Sequence, residues 1–235
     1  MLAVMATAKA GTIVQLSTAY GNMKFELYDT DKPITVANFL SYITSGRYDD
    51  SFSHRLADNF VLQGGGYKIV DDEVWSVPTF GSIVNEYNSG KVYSNTLGTI
   101  AMAKLGGDPN SATSQWFINL GNNGGTPPNG LDYQNGGFTV FGSIIEGLDV
   151  LQAFINFTPW AGGTANNVIV DASGGTPGSP FGELPVRFMN SSNIDLDNLV
   201  YTQWSIVPVP EPSIYPLLGI GFVFGIIAFR RSRTA

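Results

Sequence analysis

Residues 11–29, GTIVQLSTAYGNMKFELYD, carry an alternation that suits only an extended chain. Met23, Phe25 and Leu27 fall on one side of it, Lys24, Glu26 and Tyr28 on the other. Gly21-Asn22 supplies a turn that folds the segment into a hairpin. The rest of the chain agrees with such a start: 28 glycines and 13 prolines in 235 residues suit a loop-rich, mostly β domain better than a helix bundle.

Further strands are expected in TLGTIAMAK (96–104), SQWFINL (114–120) and FTVFGSII (138–145). KPITVANFLSYITSG (32–46) places Val36, Phe39, Leu40 and Ile43 on one helical face, with Pro33 near the start and Gly46 past the end. EGLDVLQAFI (146–155) does the same with Leu148, Leu151 and Ile155. Two helices and about eight strands suggest a closed barrel with the helices covering its ends. GNNGGTPPNGLDYQNGG (121–137) and residues 156–193 read as surface excursions, and NLVYTQWSIV (198–207) as the segment that completes the barrel.

Charge and composition remove several function classes. Nine basic and nineteen acidic side chains precede Arg230, a surface that repels phosphate backbones, so no nucleic-acid partner is expected. There is no cysteine and only one histidine, which excludes thiolate chemistry and makes a protein-built zinc site unexpected. No phosphate-loop pattern and no G-x-S-x-G elbow occurs. No metal or cofactor is expected.

The ends read as addresses. Residues 214–229 hold no charge and are followed at once by Arg230, Arg231 and Arg233. As a helix they span about 24 Å, short of a ~30 Å hydrocarbon core, a gap that Tyr215 and the arginines can bridge at the interfaces. A transmembrane segment with residues 1–212 outside the cytoplasm follows from the positive-inside rule. Pro210-Glu211-Pro212, the apolar run and the arginines together resemble the PEP-CTERM sorting signal, which implies processing by an exosortase. MLAVMATAKA ends in an A-x-A pattern at Ala8 and Ala10 and reads as the remnant of a signal peptide. The expected organisation is therefore 1–10 signal remnant, 11–207 folded domain, 208–213 proline-rich linker, 214–229 transmembrane helix and 230–235 basic cytoplasmic tail.

The chemistry is concentrated in SHRLADNFVLQGGG (53–66) and SQWFINL. The first sets His54 and Arg55 before an apolar run and Gln63. A guanidinium is costly among apolar groups unless something there uses it. In the second, strand alternation puts Gln115, Phe117 and Asn119 on one face and Trp116, Ile118 and Leu120 on the other. Both faces carry a large aromatic, so one is expected to be core and the other the floor of a groove.

FSHRLADNFVLQGGG, NTLGTIAMAK, DPNSATSQWFINL, GLD and FTVFG, in that order over roughly residues 11–155, resemble the cyclophilin family of peptidyl-prolyl isomerases. The resemblance implies an eight-stranded antiparallel barrel capped by two helices, and activity on X–Pro bonds of polypeptides. It implies Arg55 as the catalytic arginine. Phe60, Val61, Phe117 and Leu131 match the proline pocket, with Val61 where methionine is usual. Gln63 and Gln115 match the amides that orient the arginine and bind substrate backbone, and Ala103 and Lys104 match the rim. His54 is read as support rather than acid or base. Asp58-Asn59 stands where relatives have Pro-Gly, Gly130 where some have a large aromatic, and Phe138, also taken as substrate-binding, where they have histidine. These departures imply an altered rim and weak cyclosporin binding. The reading is an exported isomerase that assists folding in the envelope or extracellular matrix, membrane-anchored towards the periplasm or released after processing. Its rival is a barrel that binds proline segments without turnover, or a structural surface module.

Overall fold

The computed structural model describes residues 11–190 and 194–208. In chain order the elements begin with β1 (Ile13–Thr18), β2 (Gly21–Leu27), α1 (Pro33–Thr44), β3 (Ser51–Phe52), β4 (Arg55–Ala57) and β5 (Val61–Gly64). β6 (Tyr67–Val70), β7 (Glu73–Ser76), β8 (Thr99–Met102), β9 (Trp116–Asn119) and β10 (Val140–Glu146) follow. The chain continues through α2 (Leu148–Ile155), β11 (Thr158–Pro159), β12 (Ala165–Val170), β13 (Leu184–Met189) and β14 (Gln203–Val207).

Eight strands form one sheet in the order β14-β1-β2-β10-β8-β9-β5-β4, with every neighbouring pair antiparallel. The expected barrel is thus a curled sheet that stays open, since β4 and β14 are its edges. The chains leading into those edges meet at a single bridge, Phe52 to Tyr201. The physical reason lies on β4. It is three residues long, and its Leu56 N–H already donates to the Glu183 carbonyl at 2.7 Å. A strand edge spent on one neighbour is closed to another.

The core fills the inside of the curl. Phe25, Leu56, Leu62, Ile100, Trp116, Ile118, Phe141 and Trp204 come from the sheet, Phe39 and Tyr42 from α1, and Leu151 and Phe154 from α2. Both helices present a face slightly rotated from the expected one. α1 buries Thr35, Val36, Asn38, Phe39 and Tyr42, with Leu40 and Ile43 only partly covered. α2 buries Val150, Leu151 and Phe154, while Leu148 is exposed. In each case the expected stripe includes apolar residues at its border as well as those at its centre.

α1 has no side-chain cap of its own. Instead the buried Glu86 carboxylate accepts from the N–H groups of Ile34 (3.1 Å) and Thr35 (2.7 Å). An anion at a helix N-terminus satisfies orphan donors and meets the positive end of the dipole. Lys32 beside it donates to the carbonyls of Glu86, Tyr87 and Ser89.

Residues 156–193 are more than an excursion. β12 and β13 form an antiparallel pair in a three-stranded sheet with β11. They build a second apolar cluster from Val168, Val170, Leu184, Val186 and Met189 with Phe52 and Leu199. NLVYTQWSIV does supply the last strand, β14, paired with β1. Among the described residues no helix is long and apolar enough to cross a membrane. The expected signal remnant 1–10, the linker beyond Pro208, the transmembrane segment 214–229 and the basic tail 230–235 lie outside the described residues.

Candidate active site

Strand register assembles the site. Arg55 on β4 pairs with Gln63 on β5, Gln63 with Phe117 on β9, Phe117 with Ala101 on β8, and Ala101 with Val140 on β10. Directly opposed residues share a sheet face. Arg55, Gln63 and Phe117 therefore project on one side, and two residues along come Ala57, Val61 and Asn119. Leu56, Leu62 and Ile118 project into the core on the other side. The alternation expected for SQWFINL is what the structure contains.

On the outer side Ala57, Val61, Ala101, Phe117, Leu131 and Val140 form a separate apolar cluster, with Phe60, Ala103 and Phe138 packed against it and partly exposed. Phe117 and Phe138 meet edge to face, ring centroids 5.9 Å apart. Leu131 comes from the 121–137 loop, which an asparagine secures. The Asn123 side chain donates to the Phe60 carbonyl at 2.7 Å and to Asn119 Oδ1 at 2.8 Å, while the Asn123 backbone carbonyl accepts the Leu131 N–H. Asn119 in turn donates to Thr99 Oγ1. A partly buried, satisfied amide network of this kind fixes where the apolar side chains sit.

Gln63 and Gln115 bond each other, Gln63 Nε2 donating to Gln115 Oε1 at 2.7 Å. Neither amide bonds the guanidinium. The Arg55 Nε–H instead donates to Glu183 Oε2 at 2.8 Å. Glu183 lies within residues 156–193, where the local sequence carries no signal for a site residue.

His54 is buried, and burial first and the neighbouring Arg55 charge second lower its pKa to about 4, with its contact to Gln115 pulling the other way. At neutral pH it is therefore uncharged, in keeping with a supporting role. Between about pH 6.5 and 4 the unfolded chain takes up a proton that the folded chain refuses, so the fold loses stability as pH falls through that window, by roughly 3 kcal/mol in all. Unfolding free energies of wild type and His54→Gln at pH 7 and pH 4.5 check this. The variant is expected to lose less on acidification; an identical loss would contradict it.

Lys104 does not stand free at the rim. Its Nζ donates to the carbonyls of Asn135 (2.8 Å) and Gly137 (2.7 Å) and lies 4.7 Å from the centre of the Phe138 ring. Burial lowers its pKa to about 8, opposed by Asp108. The departures at the rim have backbone reasons. Asn59 adopts φ 51°, a left-handed conformation that asparagine tolerates better than most residues. Gly130 has φ 95°, and a Cβ there would run into the Gly124 carbonyl, so no aromatic side chain fits.

Comparison with known proteins bears on this geometry. The family model described as cyclophilin type peptidyl-prolyl cis-trans isomerase/CLD matches residues 13–172, and the PEP-CTERM protein-sorting motif matches residues 208–233. The chain is 37% identical over 167 residues to a peptidyl-prolyl cis-trans isomerase of Acinetobacter baylyi, covering 71% of this chain and 84% of that one. It is 36% identical over 140 residues to peptidyl-prolyl cis-trans isomerase B of Escherichia coli, covering 60% and 82%. The crystal structure of a Cryptosporidium parvum cyclophilin type peptidyl-prolyl cis-trans isomerase superposes with a TM-score of 0.53 at 22% identity, over 85% of this chain and 99% of that one. That likeness concerns the fold. The sorting motif implies an exported protein processed by an exosortase.

Proposed function

The chain belongs to the cyclophilin-type peptidyl-prolyl cis-trans isomerases, and from that premise we propose that the sheet face carrying Arg55 and Phe117 is where it turns X–Pro bonds. The observation that carries this reading is the cross-strand row Arg55, Gln63, Phe117, which sets a guanidinium at the border of an apolar cluster.

Rotation about an X–Pro bond breaks amide resonance, against a barrier of about 18–20 kcal/mol. No covalent bond is exchanged, so the reaction asks for no nucleophile. In the twisted state the proline nitrogen regains its lone pair and accepts a hydrogen bond that neither planar state can take. An Arg55 N–H held over the ring supplies it, stabilising the transition state over both ground states. Phe60, Val61, Phe117, Leu131 and Phe138 hold the proline ring. The Gln63–Gln115 pair offers its remaining polar atoms to substrate backbone, and Ala103 and Lys104 border the residues before the proline.

The substrates are proline-containing segments of exported proteins, and the work is folding assistance in the envelope or matrix, with the protein anchored by residues 214–229 or released once the tail is removed. The sorting motif supports this placement. Relaxation of a short X–Pro peptide after a solvent jump tests the activity. The uncatalysed step takes about 10–100 s at 25 °C, and catalytic amounts of the full chain are expected to shorten it strongly. An unchanged relaxation alongside measurable peptide binding would favour a binding module instead.

A further inference from the structure

The family's usual sequence pattern ends before the one group that holds Arg55 in this chain. Among the described residues, the only hydrogen bond and the only ion pair of the guanidinium are made by Nε with Glu183. We propose that Glu183 is a positioning residue for the reaction, aiming the terminal nitrogens of Arg55 at the substrate proline. This rests on the reading of Arg55 as the donor.

Three observations carry it. First, the amide that faces Arg55 across the strand pair, Gln63, is occupied by Gln115 and leaves the guanidinium to another partner. Second, the carboxylate is launched from backbone fixed to the arginine's own strand, because the Glu183 carbonyl accepts the N–H of Leu56, the residue next to Arg55. Glu183 also precedes β13, whose Leu184, Val186 and Met189 are buried in the second apolar cluster. Third, the contact is to Nε. A guanidinium is planar, so one acceptor at Nε fixes its plane while the four Nη donors stay available. Glu183 lies beyond residues 13–172 matched by the family model, so a segment of this chain's own reaches into the site.

A carboxylate also draws charge away from the donor. The two side chains are 34% and 43% exposed, so solvent screens that attraction and its effect on donor strength. Fixed aim, which a flexible arginine otherwise lacks, outweighs it, so removing Glu183 slows the reaction.

The test uses the full chain and X–Pro peptide kinetics for Glu183→Ala, Glu183→Gln, Arg55→Ala and the double variant Arg55→Ala/Glu183→Ala, with thermal unfolding in parallel. Glu183→Ala is expected to lower kcat about tenfold at little-changed KM. Glu183→Gln, which keeps an acceptor oxygen, is expected to recover most of it. In the Arg55→Ala background Glu183→Ala is expected to do nothing further. Wild-type kcat in Glu183→Ala, a faster enzyme, or the same loss in the Arg55→Ala background would overturn the proposal. Should the alanine variant fail to fold, Glu183→Asp withdraws the carboxylate by one methylene, and wild-type kcat there would equally overturn it. Full activity in Arg55→Ala would instead defeat the reading of Arg55 itself, so the two failures are distinguishable.

Discussion

Arg55→Ala is expected to lower kcat/KM for an X–Pro peptide by about 10²–10³-fold, the usual cost of removing one preorganised donor aimed at charge that develops only in the transition state. The loss should appear mainly in kcat, because the proline ring is held by Phe117 and its apolar neighbours, which the substitution leaves in place. Arg55→Lys should recover little. An ammonium is a point charge on a flexible stem and cannot keep one contact to Glu183 while presenting a planar fork to the substrate. Stability should change only modestly, since the Arg55–Glu183 pair is partly exposed and such pairs contribute about 0–1 kcal/mol. Steady-state kinetics with thermal unfolding of the same samples separates the two effects. A large loss of stability with normal turnover per folded molecule would make Arg55 a structural residue.

Trp116→Ala is expected to do the opposite, although Trp116 is adjacent to Phe117 on the same strand. Trp116 is fully buried on the core side, with its ring 5.2 Å from that of Trp204 and packed over Gly64 and Gly65. Truncating a buried tryptophan costs about 3–5 kcal/mol through lost transfer energy and the cavity left behind. The lower end of that range applies, because the indole N–H of Trp116 has no hydrogen-bond partner in the described structure and its removal relieves one unsatisfied donor. For a domain of this size the midpoint of thermal unfolding should fall by roughly 10 °C. Turnover per folded molecule should stay within a few-fold of wild type. Urea unfolding with isomerase assays at low denaturant reads both, and a collapse of turnover at unchanged stability would mean that the two faces of β9 have been exchanged.

That division between faces is legible in the sequence alone. Period-two alternation in SQWFINL separates Phe117 from Trp116, and β9 honours it residue by residue. The hairpin at Gly21, both helices and the last strand are equally local, since each depends on periodicity and turn residues. What the sequence could not convey is which edges meet. An open sheet and a closed barrel have the same strand pattern, and the difference lies in a short edge strand and in long-range contacts such as that of the Leu56 N–H with a residue 127 positions later. The same long-range contact conceals Glu183, a lone carboxylate in a stretch rich in glycine and proline. Asn123 was hidden for a related reason: an asparagine in a polar loop looks like a solvated turn until its amide is found on Phe60 and Asn119. Side-chain roles set by distant partners leave no periodic trace.

The most direct test of the central claim is exchange spectroscopy on an X–Pro peptide at equilibrium with a small molar fraction of the full chain. An isomerase speeds interconversion and leaves the cis and trans populations of the free peptide untouched, whereas a binder holds one form without accelerating its exchange. Magnetisation transfer between cis and trans signals is expected with wild type and is expected to vanish with Arg55→Ala. Peptide binding without any transfer in the wild-type sample would contradict the account.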